Sequence, residues 1–332
     1  MIARVRPAAD QACRLRDFSV AEIVWAAGFF DGEGSTLIHV SDPVRGYLRL
    51  DVVVPQHGGA LLPSVLTRFQ AAVLGTGRIV GPNDDGIYRW ESRSFGEGQA
   101  TVALLWRYLG PVKRAQATTA IREFLAQYAP GKRKARPTRL RLPLHGVHLE
   151  PQPSTFSDDD TERIWAAGFL DAEGCFGVVR ALPRKRGPTW YRIRASASQH
   201  GEVGLPAPVL MRLRAALDGM GRIECHGEPD DFKWVVEGEE RIERVLARVG
   251  PWLGETKRLQ AKEALARFRA QTRLKGDATR CVRGHVYTGV AMKGGRLRRI
   301  CNQCERITDR RRRPAQGVPP RQFKNAARRY TF

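Results

Sequence analysis

Two short acidic motifs, 140 residues apart, contain the side chains of this sequence that are best suited to chemistry. The stretch VWAAGFFDGEGS contains Asp31 and Glu33, and IWAAGFLDAEGC contains Asp171 and Glu173. Small residues in each motif allow two helix backbones to approach closely. If the two helices pack about a pseudo-twofold axis, Glu33 and Glu173 converge at helix C-termini, where the dipoles and mutual repulsion disfavour negative charge. We therefore expect a hard divalent cation there, Mg²⁺ above all, because it prefers oxygen ligands.

The two motifs belong to a unit that occurs twice in the chain. QHGG at Gln56 recurs as QHGE at Gln199, GTGRI recurs as GMGRI, and LGPVKRAQ recurs as LGETKRLQ. Trp90 is matched by Trp234, and both are expected in the core. The spacing between matched segments drifts only from 140 to 144 residues, so the copies differ by small insertions. Repetition on this scale indicates a duplicated domain.

Each copy has the pattern of a mixed helix and strand unit. Ser19 with Glu22, and Asp159 with Glu162, form capping-box patterns that predict the start of the motif helix. Alternating apolar and polar residues in WYRIRASASQH predict a strand with one buried face and one basic face. The predicted order in each copy is a helix, two strands, a helix, two strands and a helix. We assign each copy to the α+β class with a four-stranded sheet.

With both motifs and the duplication established, the sequence resembles the LAGLIDADG homing endonucleases in their single-chain, two-motif form. The family nonapeptide is matched as AAGFFDGEG and as AAGFLDAEG, and the similarity covers about residues 18–272. The resemblance implies two tandem αββαββα repeats that form a pseudo-twofold saddle of two four-stranded antiparallel sheets. It also implies a monomeric, site-specific endonuclease that hydrolyses double-stranded DNA with metal ions at a long asymmetric site and is encoded by an intron.

The resemblance further assigns roles to residues in both copies. It implies that Glu33 and Glu173, where the name-giving pattern has aspartate, hold the catalytic Mg²⁺. It implies further active-site positions on the sheet and before the final helix, which are matched by Gln56, Gln199, Lys113 and Lys257. In phosphodiester hydrolysis the lysines would stabilise charge on the phosphorus centre or polarise water, and the glutamines would orient water. We interpret Asp31 and Asp171 as structural residues that form hydrogen bonds near the helix ends.

The charge of the chain indicates a polyanionic partner. Lys and Arg number 56 against 34 Asp and Glu, a formal net charge of +22, so double-stranded DNA is the first candidate. The sequence contains no apolar segment long enough for a membrane span and no secretion signal, which predicts a cytoplasmic protein, associated with the nucleoid in a bacterium. Strand alternation predicts outward-facing basic residues that can reach base edges: Arg49, Arg89, Arg93, Arg192, Arg194 and Lys233.

A cysteine and histidine cluster near the C-terminus has the spacing of a structural metal site. Cys281 and His285 form one pair, Cys301 and Cys304 form the other, and glycines at 294–295 suit a hairpin between them. Three thiolates and one imidazole fit tetrahedral Zn²⁺, which would supply folding free energy to a module too small for its own core. The adjacent basic run is expected to contact DNA phosphates and consists of Arg310, Arg311, Arg312 and Arg313.

The predicted domain organisation follows from these segments. It comprises an N-terminal arm (1–17), the first repeat (18–128), a basic proline-rich linker (129–156), the second repeat (157–273), a zinc-binding module (274–313) and a basic tail (314–332). The alternative function is a catalytically inactive nucleic-acid-binding protein on the same scaffold, either a maturase that binds intron RNA or a transcriptional regulator. The presence of both glutamates and both lysines favours the enzyme. An intein endonuclease is disfavoured because splicing residues are not evident at either end.

Overall fold

The computed structural model describes residues 20–127 apart from 43 and 45, residues 157–181 and 190–275, and residues 281–312 apart from 282, 294 and 295. These residues form two compact units, one up to Leu265 and one from Ala266 onwards. The predicted N-terminal arm, linker and basic tail lie outside the described residues. Within the described ranges, no helix has the length and apolar character needed to cross a membrane.

The two repeats have the same strand arrangement, and the first unit contains both of them apart from the part of the last helix that follows Leu265. The first repeat consists of α1 (Val20–Glu33), β1 (Ser35–Asp42), β2 (Tyr47–His57), α2 (Ser64–Ala72), β3 (Arg78–Val80), β4 (Ile87–Glu91), α3 (Phe95–Leu105) and α4 (Pro111–Ala126). The second consists of α5 (Asp158–Glu173), β5 (Cys175–Ala181), β6 (Trp190–His200), α6 (Pro208–Ala216), β7 (Arg222–Cys225), β8 (Asp231–Glu237), α7 (Glu239–Val249) and α8 (Glu255–Lys275). Their antiparallel sheets have the orders β1-β2-β4-β3 and β5-β6-β8-β7. The predicted α+β fold with two four-stranded sheets is confirmed.

Each repeat contains one helix more than the sequence analysis predicts, because α3 and α7 precede the final helices. The hydroxyl of Ser94 caps α3 by accepting a hydrogen bond from the backbone N–H of Glu97. The helix α7 buries Ile242, Val245 and Val249 along one stripe. Both signals are present in the sequence, as a serine followed by glutamate three positions later and as an amphipathic stripe.

The start of α5 also differs from the prediction. The hydroxyl of Ser157 accepts a hydrogen bond from the backbone N–H of Asp160, so Ser157 is the N-cap and the capping box predicted at Asp159 is wrong. Three aspartates follow the cap, and negative charge in the first turn favours a helix start through the helix dipole. Ser19, the cap predicted for α1, lies outside the described residues.

Each sheet packs one face against helices and leaves the other face accessible. In β6 the side chains of Ile193, Ala195 and Ala197 are buried while Arg192 is exposed, as the alternation predicts. Trp90 in β4 and Trp234 in β8 occupy equivalent positions and are fully buried, which confirms that both are core residues. The buried face of each sheet thus determines which side chains remain available on the opposite face.

The two repeats meet where α1 packs against α5, and the backbones touch at two glycines. A Cβ atom added to Gly28 would lie 1.9 Å from the carbonyl oxygen of Trp165, and one added to Gly168 would lie 1.9 Å from the carbonyl oxygen of Trp25. No side chain fits at such a distance, so this approach requires glycine at both positions. The predicted role of the small residues in the motifs is therefore confirmed.

The second unit contains a β-hairpin followed by a helix. The strands β9 (Gly289–Lys293) and β10 (Arg296–Ile300) pair antiparallel, with Lys293 opposite Arg296, and α9 (Asn302–Arg312) follows. The hairpin predicted between the two metal-ligand pairs is confirmed.

We predict that Gly28→Ala destabilises the protein because the new methyl group would overlap the backbone of α5. Overpacking at such a site typically lowers the free energy of unfolding by roughly 1–3 kcal/mol. The matched control is Gly96→Ala in α3, where the nearest atom to an added Cβ is 4.0 Å away. Alanine is favoured over glycine in a helix by up to about 1 kcal/mol, so this control should be neutral or stabilising. Urea unfolding of both variants measures the difference, and equal effects would contradict the backbone contact.

Candidate active site

The last residues of α1 and α5 lie together at the interface between the repeats. Glu33 ends α1 and Glu173 ends α5. A Cβ atom added to Gly32, the residue before Glu33, would lie 3.1 Å from Cγ of Glu173. The two side chains also interact electrostatically, because the charge of Glu33 contributes to a raised pKa of Glu173. The fold therefore brings together the two glutamates that the motifs single out.

A glutamine from the sheet of each repeat contacts the glutamate of the same repeat. Gln56 in β2 donates a hydrogen bond from Nε2 to Oε1 of Glu33 over 3.1 Å. Gln199 in β6 donates from Nε2 to Oε1 of Glu173 over 2.6 Å, and also to the carbonyl oxygen of Gly32 over 3.4 Å. Each glutamine is thus positioned to orient the carboxylate beside it.

A lysine near the start of the final helix of each repeat completes the cluster. Lys113 in α4 donates a hydrogen bond from Nζ to the carbonyl oxygen of Gly34. Lys257 in α8 donates equivalently to the carbonyl oxygen of Gly174. Both acceptors directly follow the clustered glutamates, so each repeat contributes the same three side chains in the same arrangement.

Burial dominates the electrostatics of this cluster. Burial, followed by repulsion from Glu33, raises the pKa of Glu173 to about 7. Burial also raises the pKa of Glu33, although both lysines oppose this shift. Burial lowers the pKa values of Lys113 and Lys257, and the nearby carboxylates oppose this shift only in part. A cation between the glutamates would offset the cost of two buried negative charges. Carboxylate oxygens are hard donors, so the residues present fit Mg²⁺.

The two aspartates of the motifs hold the ends of other elements. Asp31 is buried and accepts hydrogen bonds from the backbone N–H of Gly110 and from Nε1 of Trp165. Asp171 accepts the equivalent bonds from Gly254 N–H and Trp25 Nε1. Burial raises the pKa of Asp31 to about 6 and raises that of Asp171, against the effect of these hydrogen bonds. The hydrogen bonds near the helix ends match the structural role that the sequence suggests.

Two arginines that the sequence analysis does not identify complete the interface, and we call them the interface arginines. Arg68 in α2 pairs with Glu22 and packs over the ring of Trp25, 3.9 Å from the ring centre. Arg212 in α6 pairs with Glu162 and packs 4.0 Å over Trp165. Their occurrence at matching positions, in LTRFQ and in LMRLR, is the signal that identifies them in the sequence.

Basic residues on the accessible faces of the sheets are paired with carboxylates. Four ion pairs lie on these faces: Arg49 with Asp51 at 2.6 Å, Arg89 with Glu91 at 3.2 Å, Arg192 with Glu237 at 3.3 Å and Arg194 with Glu224 at 3.2 Å. Lys233 lies on the accessible face, beside the buried Trp234 in the chain. Surface ion pairs contribute only about 0–1 kcal/mol, so these side chains can exchange partners at little cost.

The structure departs from the prediction for one of the sheet residues. Arg93 lies beyond the end of β4, where its backbone N–H and side chain contact Glu97 of α3. Its predicted place on the strand is therefore wrong, because the strand ends at Glu91. Arg310, Arg311 and Arg312 belong to α9, but their side chains lie outside the described residues, as does Arg313.

The cysteine and histidine residues of the second unit form a compact cluster. One ligand atom from each of Cys281, His285, Cys301 and Cys304 lies within 4.8 Å of those from the other three. The distance from Sγ of Cys304 is 3.6 Å to Sγ of Cys281 and 3.4 Å to Nδ1 of His285. A tetrahedron with zinc–sulfur bonds of about 2.3 Å has edges of about 3.8 Å between sulfurs. Three thiols and an imidazole at this spacing fit a four-coordinate zinc ion.

We predict that Asp31→Asn lowers the free energy of unfolding by about 1–3 kcal/mol. The carboxylate accepts hydrogen bonds from the N–H groups of Gly110 and Trp165. In asparagine an NH₂ group replaces one carboxylate oxygen, and this group cannot accept a hydrogen bond from either donor. The matched control is Asp159→Asn, at a side chain that is 54% exposed and pairs with Arg163 and Arg248. Urea unfolding should show a smaller loss for the control, and the reverse order would contradict the buried role of Asp31.

Comparison with known proteins identifies the fold. No protein-family profile matches the chain, and no curated protein sequence matches it. Solved structures do match. The LAGLIDADG meganuclease I-AabMI bound to uncleaved DNA has 16% identity and a TM-score of 0.53, covering 76% of this chain and 91% of that one. The LAGLIDADG homing endonuclease I-GzeII in complex with its DNA target has 16% identity and a TM-score of 0.53, covering 77% and 93%.

The LAGLIDADG meganuclease I-CpaMI, also bound to uncleaved DNA, has 16% identity and a TM-score of 0.53, covering 77% of this chain and 94% of that one. The shared part of the chain corresponds in extent to the two repeats, and the helices that bear the nonapeptide motifs lie at their interface. This chain therefore has the LAGLIDADG homing endonuclease fold, as its two motifs predict.

Proposed function

We propose that the protein is a LAGLIDADG homing endonuclease that hydrolyses phosphodiester bonds in double-stranded DNA. The observation that carries this proposal is the paired cluster at the repeat interface, where each repeat contributes one glutamate, one glutamine and one lysine in equivalent contacts. Two centres related by a pseudo-twofold axis suit a duplex, whose two strands are themselves related by local twofold symmetry. The solved structures with this fold are bound to DNA, which supports the same partner here.

The proposed chemistry assigns one task to each residue type. Glu33 and Glu173 would hold Mg²⁺, which supplies charge neutralisation for the attacking and leaving oxygens of the phosphodiester. Lys113 and Lys257 would stabilise the negative charge that develops on the phosphoryl oxygens, an effect that is strong in a partly buried site. Gln56 and Gln199, which already orient the glutamates, would also orient the attacking water. The same division of tasks in both repeats would allow one chain to cut both strands.

The accessible faces of the sheets are the proposed DNA-binding surface. Arg49 and Arg89 in the first repeat, and Arg192 and Arg194 in the second, would exchange their carboxylate partners for base edges or phosphates, and Lys233 would contact the DNA beside them. Arg93 lies just beyond the C-terminal end of β4, where its side chain is half exposed, and it would contact the DNA backbone. The two faces differ in sequence, so we propose a long asymmetric target read by a monomer that an intron encodes.

The second unit is proposed to bind zinc and extend the DNA contact. Zn²⁺ held by Cys281, His285, Cys301 and Cys304 would stabilise the hairpin and the start of α9. From Lys275 to the C-terminus, 16 Lys and Arg face 3 Asp and Glu in the sequence, a net charge of +13. A segment with this charge would bind phosphates without reading sequence, and Arg310 to Arg313 would take part in that contact.

The first test of the proposed function is cleavage of a library of linear duplex DNA with Mg²⁺ by three variants. We expect discrete products with wild-type protein and none after addition of EDTA. Glu33→Gln and Glu173→Gln should each slow cleavage by roughly 100-fold or more, because a metal ligand is lost, while DNA affinity stays near wild type. The matched control is Glu263→Gln, at an exposed position of α8, and it should cleave normally.

Tight binding without any cleavage by the wild-type protein would overturn the endonuclease proposal. It would instead support the inactive binding protein, and a preference for RNA over duplex DNA in the same assay would identify a maturase. Loss of DNA binding with unchanged hydrolysis in either glutamate variant would contradict the assignment of these residues as metal ligands.

The second test concerns the metal of the second unit. Elemental analysis of the full chain should find about one zinc per molecule, and Cys304→Ser should remove it because three ligands hold zinc less tightly than four. Cys225→Ser is the matched control, since Cys225 is an exposed cysteine of β7 outside the cluster. Equal zinc content in both variants, or none in the wild-type protein, would rule out the proposed site.

A further inference from the structure

The interface arginines connect each repeat to the active-site elements of the other repeat. Arg68 belongs to the first repeat, but it donates a hydrogen bond to the carbonyl oxygen of Trp252 over 2.8 Å and lies 3.7 Å from Oδ2 of Asp171. Arg212 belongs to the second repeat, donates to the carbonyl oxygen of Tyr108 over 2.7 Å and lies 3.6 Å from Oδ2 of Asp31. The side chains of Arg68 and Arg212 are only 25% and 23% exposed. A buried arginine is stable only when its donors are satisfied, so these contacts are specific.

The aspartate that each interface arginine approaches holds two parts of one catalytic cluster. Asp171 lies two residues before Glu173 on α5, and it accepts a hydrogen bond from the backbone N–H of Gly254 over 2.7 Å. Gly254 directly precedes α8, the helix that carries Lys257. The single carboxylate of Asp171 thus ties the helix end that presents the glutamate to the helix start that presents the lysine.

The partners of that aspartate come from the opposite repeat. Trp25 on α1 donates from Nε1 to Oδ2 of Asp171 over 2.8 Å, and Arg68 stacks on the ring of Trp25 while pairing with Glu22. The stacked arginine restricts the indole, and the indole in turn restricts the carboxylate. Arg212, Trp165 and Asp31 form the equivalent chain in the other direction.

We propose that the interface arginines are positioning residues that act in trans, with Arg68 holding the catalytic cluster of the second repeat and Arg212 holding that of the first. The inference rests on the proposed endonuclease function. It adds that each centre depends on a side chain of the opposite repeat. Loss of one arginine should therefore impair one centre, and through it the cleavage of one DNA strand.

The first measurement follows the cleavage of each strand of a DNA duplex that is labelled on both 5′ ends. The duplex contains the target sequence that the wild-type protein selects from a randomised library. Arg68→Gln should slow cleavage of one strand about 10- to 100-fold more than the other, the usual range for loss of a residue that orients a metal ligand. Arg212→Gln should show the opposite strand bias. Arg214→Gln is the matched control. Arg214 lies on α6 with Arg212, but its side chain donates a hydrogen bond to the carbonyl oxygen of Gly219 at the surface.

A role limited to interface stability predicts a different result. The two repeats share one interface, so a merely structural arginine would slow both strands equally. Equal slowing by each variant, or a bias towards the same strand in both, would overturn the inference. Arg68→Lys and Arg212→Lys keep the charge but lose the stacked, bidentate guanidinium, so they should give smaller biases in the same directions and serve if the glutamine variants do not fold.

The second measurement does not depend on cleavage. Mn²⁺ affinity, followed by electron paramagnetic resonance, should fall about tenfold when Arg68→Gln is added to Glu33→Gln, where Glu173 is the remaining ligand. The same change added to Glu173→Gln should have little effect, and Arg212→Gln should show the reverse pattern. Identical losses in both backgrounds would also overturn the inference. If the wild-type protein cleaves no DNA, the proposed function fails, and this Mn²⁺ comparison still decides the positioning role.

Discussion

The direct backbone contact between α1 and α5 is the constraint on which the rest of the first unit depends. Gly28 and Gly168 allow each helix to touch the carbonyl group of the tryptophan in the other. Helices this close end side by side, so the acidic residues at their C-termini share one small volume. The contact therefore creates both the interface and the electrostatic problem that the surrounding residues solve.

The solution uses charged and polar groups in two layers. Asp31 and Asp171, two residues before the helix ends, accept hydrogen bonds from indole and backbone N–H groups, which lowers the cost of burying them. Among the described residues, Oδ1 of Asp171 has no hydrogen-bond partner. Glu33 and Glu173, at the ends, are contacted by glutamines and attracted by two lysines, yet burial still raises their pKa values. A divalent cation between the two carboxylates would offset the cost of holding both as buried anions.

Duplication also makes the two halves interdependent. Trp25 reaches the aspartate of the second repeat and Trp165 reaches that of the first, so neither half can satisfy its buried carboxylate alone. The interface arginines follow the same crossed pattern. The stability of the second unit has a different physical basis, since its short hairpin and helix surround a cluster of soft metal ligands. Bound zinc would supply folding free energy there, as the buried glycine contact and the aromatic core do in the repeats.

The sequence alone determined the duplication, the class of the fold, the four clustered zinc-type ligands and the positions of the residues now found around Glu33 and Glu173. These features depend on local spacing: motif repetition, strand alternation and paired cysteines can be read without knowing which elements meet. The same local patterns do not predict α3 and α7 as separate helices, and they place Arg93 on a strand that ends at Glu91.

Only the tertiary structure decided which side chains share a contact across the interface. The pairing of Trp25 with Asp171, and the reach of Arg68 to Trp252, join residues 146 and 184 positions apart. The sequence shows matching residues in both copies, with Tyr108 at the position equivalent to Trp252, but not that each serves the opposite copy. The direction of a contact between two similar halves depends on how closely their helices approach and at what rotation, and packing of the whole interface sets both.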